Sequence, residues 1–251
     1  MNASPDLRAQ IGAYTDLQPD FNSIRNTPIE GVLLTNADLD HVLGLFSLRE
    51  GGQLTIYATS AVKATATSCL GLTAVLDVFC GTVWREPSVG AFVPLVSQGK
   101  STSSLLYRAI FLPGTTPPFA KDISSRGVHC VAYQFLDQRT GGRLLVAPDV
   151  AAVNDGLREA LITSDAVLFD GTFWSADELS RVKPIAPKAG EMGHVTIKDC
   201  SLDLLRALPA RRKIFVHINN TNPVLMNDSP ERALIEAAGI AIGYDGLEFQ
   251  L

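Results

Sequence analysis

Residues 28–41 read Pro28-Ile29-Glu30-Gly31-Val32-Leu33-Leu34-Thr35-Asn36-Ala37-Asp38-Leu39-Asp40-His41. The part from Ile29 to Thr35 is apolar and β-branched, too short for a helix and bounded by polar residues, which predicts a buried strand. Asn36 to His41 then lie at its carboxyl edge. Val42 to Arg49 follows with apolar residues at helical spacing, closed by Gly51-Gly52. Strand, polar turn and helix in that order point to an α/β protein.

Working outward, Leu54 to Tyr57 reads as a strand and Ser60 to about Thr67 as a helix. Upstream, Ser4-Pro5-Asp6 is expected to cap a short helix ending near Tyr14, since Ser accepts from free N–H groups and Pro suits the first helical position. Downstream, Leu105–Leu112, Val128–Leu136 and Arg143–Ala147 read as strands, the last two joined by a Gly141-Gly142 hairpin turn. A helix over Asn154–Thr163 leads to the strand Ala166-Val167-Leu168-Phe169, which stops at Asp170-Gly171-Thr172. The last third repeats the arrangement: a helix over Ser201–Leu208, a strand over Lys213–Val216 ending at His217, a helix over Ser229–Ala238, and strands near Ile240 and Leu247. Pro113–Pro118 and Pro184–Gly193 are long loops, and with no repeat or flexible linker a single domain over 1–251 is expected.

The 251 residues carry a formal charge of −5, 46% apolar and 19% charged residues. That composition buries a substantial core and offers no basic stripe, so nucleic acid is not an expected partner. No apolar run is long enough for a bilayer and the start Met1-Asn2-Ala3-Ser4-Pro5-Asp6 lacks a leader pattern, so no membrane partner and a cytoplasmic location are expected. Cys69, Cys80, Cys130 and Cys200 form no CxxC pair and read as reduced and mostly buried.

Three of the expected strands end in ionisable residues: Asp38, Asp40 and His41 after the first, Asp170 after the second, His217 after the third. In α/β sheets ligands bind outside the carboxyl ends of strands. Carboxylates and imidazoles gathered there repel or compete for protons unless a cation sits among them. The set is oxygen-rich and free of thiolate, which favours Fe(II) or Mn(II) over a cysteine-rich zinc site. Asp40, His41 and His217 compose a two-histidine, one-carboxylate set of the kind that leaves positions open on a non-haem Fe(II), with Asp38 or Asp170 as a further ligand. His194, in Glu191-Met192-Gly193-His194, reads as an acid/base on an exposed loop rather than a ligand.

Plainer readings stand beside these. Asp38-Leu39-Asp40 also suits a helix cap or turn, and a histidine at a strand end also suits a structural role. His129, within an expected strand, reads as structural. Asn219-Asn220-Thr221-Asn222-Pro223 suits a turn or hydrogen-bond support for a ligand. Thr172-Phe173-Trp174 suits packing or an aromatic wall for a planar substrate.

Several blocks together resemble the coenzyme PQQ biosynthesis protein B family: Asn2-Ala3-Ser4-Pro5-Asp6, Leu34 to His41, Leu48-Arg49-Glu50-Gly51, Phe169 to Trp174, Met192-Gly193-His194 and His217 to Pro223. The resemblance implies a metallo-β-lactamase-like α/β fold of four αββα layers. The usual His-x-His-x-Asp-His signature of that fold falls on Asn36, Asp38, Asp40 and His41, so two customary histidines are replaced and a mononuclear centre is expected.

The resemblance further implies an Fe(II)-dependent oxygenase step in pyrroloquinoline quinone synthesis, with zinc as the other candidate metal. Molecular oxygen is the implied co-substrate, and the implied reaction is hydroxylation of the tyrosine ring of a Glu-Tyr-derived peptide. Asp38, Asp40, His41 and His217 are the implied metal ligands, Asp170 an added ligand or supporting carboxylate, and His194 the acid/base. Gly171, Thr172, Trp174, Asn219, Asn220 and Asn222 shape the pocket. Other proteins of the pathway and a second copy of the chain are the implied partners. The family pattern has a strand and a Gly-rich loop upstream of the Asn-Ala-Ser-Pro-Asp block, so the chain is expected to be short at its N-terminus. Two rival functions are a carrier of PQQ and a metal-dependent hydrolase.

Overall fold

The computed structural model describes residues 1–19, 26–96, 103–120 and 127–251. Two compact units are formed, one by Met1–Ser88, Leu95–Ser103 and Thr115–Val131, the other by Val89–Pro94, Ser104–Gly114 and Ala132–Leu251. Each is built on its own sheet.

In the first unit, β1 (Gly31–Leu33), β2 (Leu54–Tyr57) and β3 (Thr82–Arg85) form a parallel sheet in that order. Its helices are α1 (Leu7–Ala13), α2 (Leu39–Val42), α3 (Ser60–Ser68) and α4 (Leu72–Phe79). All four residues of β2 are buried, as expected of a parallel strand covered on both faces. Leu34, Leu45, Ile56, Val62, Leu72 and Leu76 are fully enclosed in this core, each side chain contributing about 1.5–3 kcal/mol by its removal from water. The Thr59 hydroxyl caps α3 by accepting from Val62 N.

Several expectations are corrected here. Ser4 does not cap α1 through its side chain: the helix starts at Leu7, whose N–H reaches the Ser4 carbonyl, and the Ser4 hydroxyl is buried without a partner. The segment is instead pulled against the turn at Gly44, whose N–H donates to the Ala3 carbonyl at 2.9 Å. A Cβ at Gly44 would lie 2.1 Å from the Ser4 carbonyl oxygen, so only glycine permits this approach. The helix expected from Val42 begins at Leu39 and tightens into 3-10 form over Leu43–Leu48. β1 is shorter than its apolar run, and α4 and β3 were not expected. Among the cysteines, all free, Cys130 is buried and Cys69 is exposed, because Cys69 lies at the carboxyl end of α3 rather than inside the core.

In the second unit, β4 (Val93–Pro94), β5 (Leu105–Leu112), β6 (Cys130–Asp137, in this unit from Ala132), β7 (Arg143–Ala147), β8 (Ala166–Asp170), β9 (Arg212–Val216) and β10 (Ala241–Ile242) form one sheet, ordered β10-β9-β8-β7-β6-β5-β4. The β6–β7 hairpin turns at Gly141, which takes the left-handed φ of 76° that such turns require. From β7 to β10 the neighbours are parallel, and the connections carry α5 (Asp155–Thr163), α6 (Glu178–Val182), α7 (Leu202–Arg206) and α8 (Pro230–Ala237). Asn154 and Ser229 cap α5 and α8. The helix expected from Ser201 is preceded by a π turn over Ile197–Ser201, and Leu247 lies in a turn rather than a strand. Leu145, Leu157, Leu161, Phe169 and Phe215 are fully buried.

Parallel pairing places the carboxyl ends of β7, β8 and β9 side by side. Among the described residues no single helix is long and apolar enough to cross a membrane.

Candidate metal centre

In the first unit, the residues after β1 turn sharply: the Asn36 side chain accepts from Asp38 N at 2.9 Å, and the Asp38 carbonyl accepts from His41 N. Asp38 stands at the start of α2 yet makes no side-chain cap bond, which weakens the plain capping reading. His41 is buried; its Nδ1 faces the Asn2 amide and the Thr35 hydroxyl, and its Nε2 lies 3.6 Å from Asp40 Oδ2. The Ala3 N–H donates to the His41 carbonyl, so this ring is gripped through both backbone and side chain.

In the second unit, the loops after β7 and β9 bring Asp149 and His217 together with His194 and with Asp170, the last residue of β8. Asp170, fully buried, accepts at Oδ2 from Val150 N (2.9 Å) and at Oδ1 from Thr172 N (2.9 Å) and the Thr172 hydroxyl (2.7 Å). His194 Nδ1 lies 2.8 Å from the same Oδ2 and donates to it. The Thr172 hydroxyl has one proton, committed to Asp170, so it must accept from His217 Nδ1, 2.8 Å away. One carboxylate thus sets the tautomer of both histidines, directly and through Thr172. With Nδ1 committed as a donor, Nε2 is the nitrogen of each ring that can offer a lone pair to a ligand.

Asp149, buried, completes the group: its Oδ1 is 3.8 Å from His194 Nε2 and 3.7 Å from His217 Nδ1. One donor atom each from Asp149, His194 and His217 lies within 4.8 Å of the others. The two rings stack at 5.5 Å between centroids, and Phe173 meets His194 edge-on at 5.8 Å. Burial is the largest influence on His194 and disfavours its charge, but the hydrogen bond and charge of Asp170, joined by Asp149, outweigh it. They leave its pKa above the ordinary histidine value despite His217. A carboxylate and two imidazoles gathered this way offer donor atoms of the kind that suit a divalent iron or zinc ion, with Asp149 lying against His217 at the same Nδ1 that Thr172 holds.

His217 has a backbone φ of 57°, a left-handed conformation uncommon for histidine and often found where geometry serves a site. The turn after it is locked: Asn219 N donates to the Thr172 carbonyl, and the Asn222 amide to the carbonyls of Gly171 and Thr172. Asn220 is exposed, and Trp174 is buried in the segment that bonds to Lys198 N. Gly171 is required: a Cβ there would come 2.8 Å from that of Phe215.

The sequence reading missed Asp149 and Glu178. Asp149 carries the signal used elsewhere, a polar residue just beyond the apolar strand Leu144-Leu145-Val146-Ala147.

The beta-lactamase superfamily domain family matches residues 1–218. Coenzyme PQQ synthesis protein B of Cupriavidus necator is 36% identical, covering 100% of this chain and 82% of that protein. The protein of the same name from Rhizobium meliloti is 40% identical, covering 100% and 80%. Among solved structures, zinc-bound PqqB from Methylobacterium extorquens superposes with a TM-score of 0.86 at 34% identity, over 100% of this chain and 82% of that one.

Proposed function

Because the chain belongs to the coenzyme PQQ synthesis protein B family of the beta-lactamase superfamily, we propose that it serves PQQ biosynthesis as an Fe(II)-dependent hydroxylase acting on the tyrosine ring of a Glu-Tyr-derived peptide. Its fold is the metallo-β-lactamase fold, with mixed α/β sheets flanked by helices. The observation that carries the reading is the pair of histidines, His194 and His217, tuned by one buried carboxylate beside a second, Asp149.

In this reading Asp149, His194 and His217 are metal ligands, with Asp170 and Thr172 orienting the two rings. His194 is proposed as a ligand through Nε2, and the Asp170 bond at Nδ1 suits equally the acid/base role expected from the sequence. Asp38, Asp40 and His41, by their sequence position after β1, are proposed with His217 as the alternative ligand set, since one Fe(II) cannot take all six side chains and keep a position open. When bound, iron would supply the redox chemistry that lets molecular oxygen react with a phenol ring. The chain's own share is positioning: Gly171, Trp174 and Asn219 to Asn222 hold the loops, and Phe173 shields one flank of His194 from water. An external reductant supplies the two electrons that send the second oxygen atom to water.

The test is anaerobic loading with Fe(II), then turnover of a Glu-Tyr peptide with isotopically labelled dioxygen and a reductant, followed by mass. One labelled oxygen on the ring is expected; folded, iron-loaded protein that incorporates none overturns the reading. A hydrolase is the second reading, favoured by the description of the M. extorquens relative as zinc-bound. Two zinc ions per chain with a hydrolytic product would establish it.

A further inference from the structure

Glu178, the first residue of α6, is buried at 6% exposure although carboxylates seldom lie inside a protein unless well bonded. Its Oε2 accepts from Trp174 N at 2.6 Å, and its Oε1 accepts from the Thr221 hydroxyl at 2.6 Å. The Thr221 oxygen in turn accepts from the Asn219 amide at 2.7 Å. The two oxygens of one side chain therefore hold two different loops, that after β8 and that after β9. These are the loops that carry Thr172 and His217, which are bonded to one another at 2.8 Å.

We propose that Glu178 is a positioning residue of the metal centre, a clamp that holds the Thr172 loop and the His217 loop in register. The proposal rests on the assignment of His217 as a ligand. Its physical basis is the left-handed backbone of His217: such a conformation persists only where the surroundings over-determine it. The turn from Asn219 to Asn222 supplies backbone and amide bonds on one side, and Glu178 supplies short bonds to a carboxylate, the stronger kind, on the other. Without the clamp the His217 ring loses its fixed distance from Thr172, and the ligand set loses its pre-arranged geometry.

The experiment uses Co(II) as probe on the full chain, reading affinity by chelator competition and ligand geometry by visible absorption. Glu178→Met keeps the shape and removes both acceptors; it should weaken Co(II) by about tenfold or more, the scale seen when an outer partner of a ligand is lost, and alter the absorption. Glu178→Gln can still accept from Trp174 N and donate to the Thr221 oxygen, so it should recover most of the affinity. Thr221→Val cuts the other arm and should move affinity and absorption as Glu178→Met does, and it decides the matter if the latter fails to fold. Wild-type affinity and absorption in both Glu178→Met and Thr221→Val overturn the proposal. Amide exchange at Trp174 in metal-free protein separates the two assumptions: faster exchange in Glu178→Met shows the clamp even if the wild type takes up no Co(II), whereas unchanged exchange refutes it.

Discussion

The Nδ1 of His194 donates to Asp170 Oδ2 at 2.8 Å while its Nε2 faces Asp149 Oδ1 at 3.8 Å, so one imidazole spans two buried carboxylates with a distinct nitrogen for each. Asp170 is saturated by Val150 N, Thr172 and His194, and its work is orientation. Asp149 is the carboxylate that faces the opposite nitrogen of the ring.

Asp170→Asn places an amide where four donors converge, so at least one donor meets another. Metal affinity should fall about 10- to 100-fold, the range for lost partners of ligating histidines. Competition against a chelator measures it, and an unchanged affinity would remove Asp170 from the orienting role. Thr172→Ser should be mild and Thr172→Val severe, because only the hydroxyl relays to His217.

In the proposed site, proton and metal compete for His194. Its raised pKa in the metal-free protein means the proton is held to a higher pH than the ordinary 6.5. Metal binding must release it, so affinity should decline as pH falls through that raised value. The stability of the metal-free protein moves the opposite way: the contribution of His194 is full below its unfolded-state pKa and is lost as pH rises through the folded one. Thermal melts of metal-free wild type and His194→Gln should therefore converge with rising pH. A difference that stays constant over the range would argue against this coupling.

Removing the metal should lower the melting temperature. An ion that binds only the folded form stabilises it by about 2.7 kcal/mol at a hundredfold excess over its Kd. Melts with and without chelator, repeated over metal concentration, test this. Identical curves would mean that no ion binds the native protein.

Gly171→Ala drives a methyl group to 2.8 Å from the Phe215 Cβ and 3.1 Å from the Val216 carbonyl, groups of the neighbouring strand that cannot swing aside. A loss of about 1–3 kcal/mol is expected from overpacking, read by denaturant unfolding. Wild-type stability would show that β8 and β9 can part at no cost.

The strand ends were legible because apolar, β-branched runs such as Ala166-Val167-Leu168-Phe169 stop abruptly at polar residues. α4 was not, since Gly71 opens it with φ 62° and no side chain caps it, leaving an apolar stretch without a start signal. Asp149 follows an apolar strand as the other site residues do, and what local sequence does not give is its destination. Local sequence announces that β7 pairs with β6 across the Gly141 turn, but nothing local announces that its other edge pairs in parallel with β8. That long-range pairing is what carries Asp149 to His194. His129, expected within a strand, lies just before β6; it is buried, with Nε2 3.4 Å from the Thr116 hydroxyl.

Asp149, His194 and His217 arrive on three separate loops, with no two supplied by one short motif. A disordered chain therefore presents no ready chelate from these residues, and an ion meets all three together only once the parallel strands have paired. In the proposed site, uptake of an ion by this trio would report that β7, β8 and β9 have paired, and a chain halted before β9 pairs would not hold it.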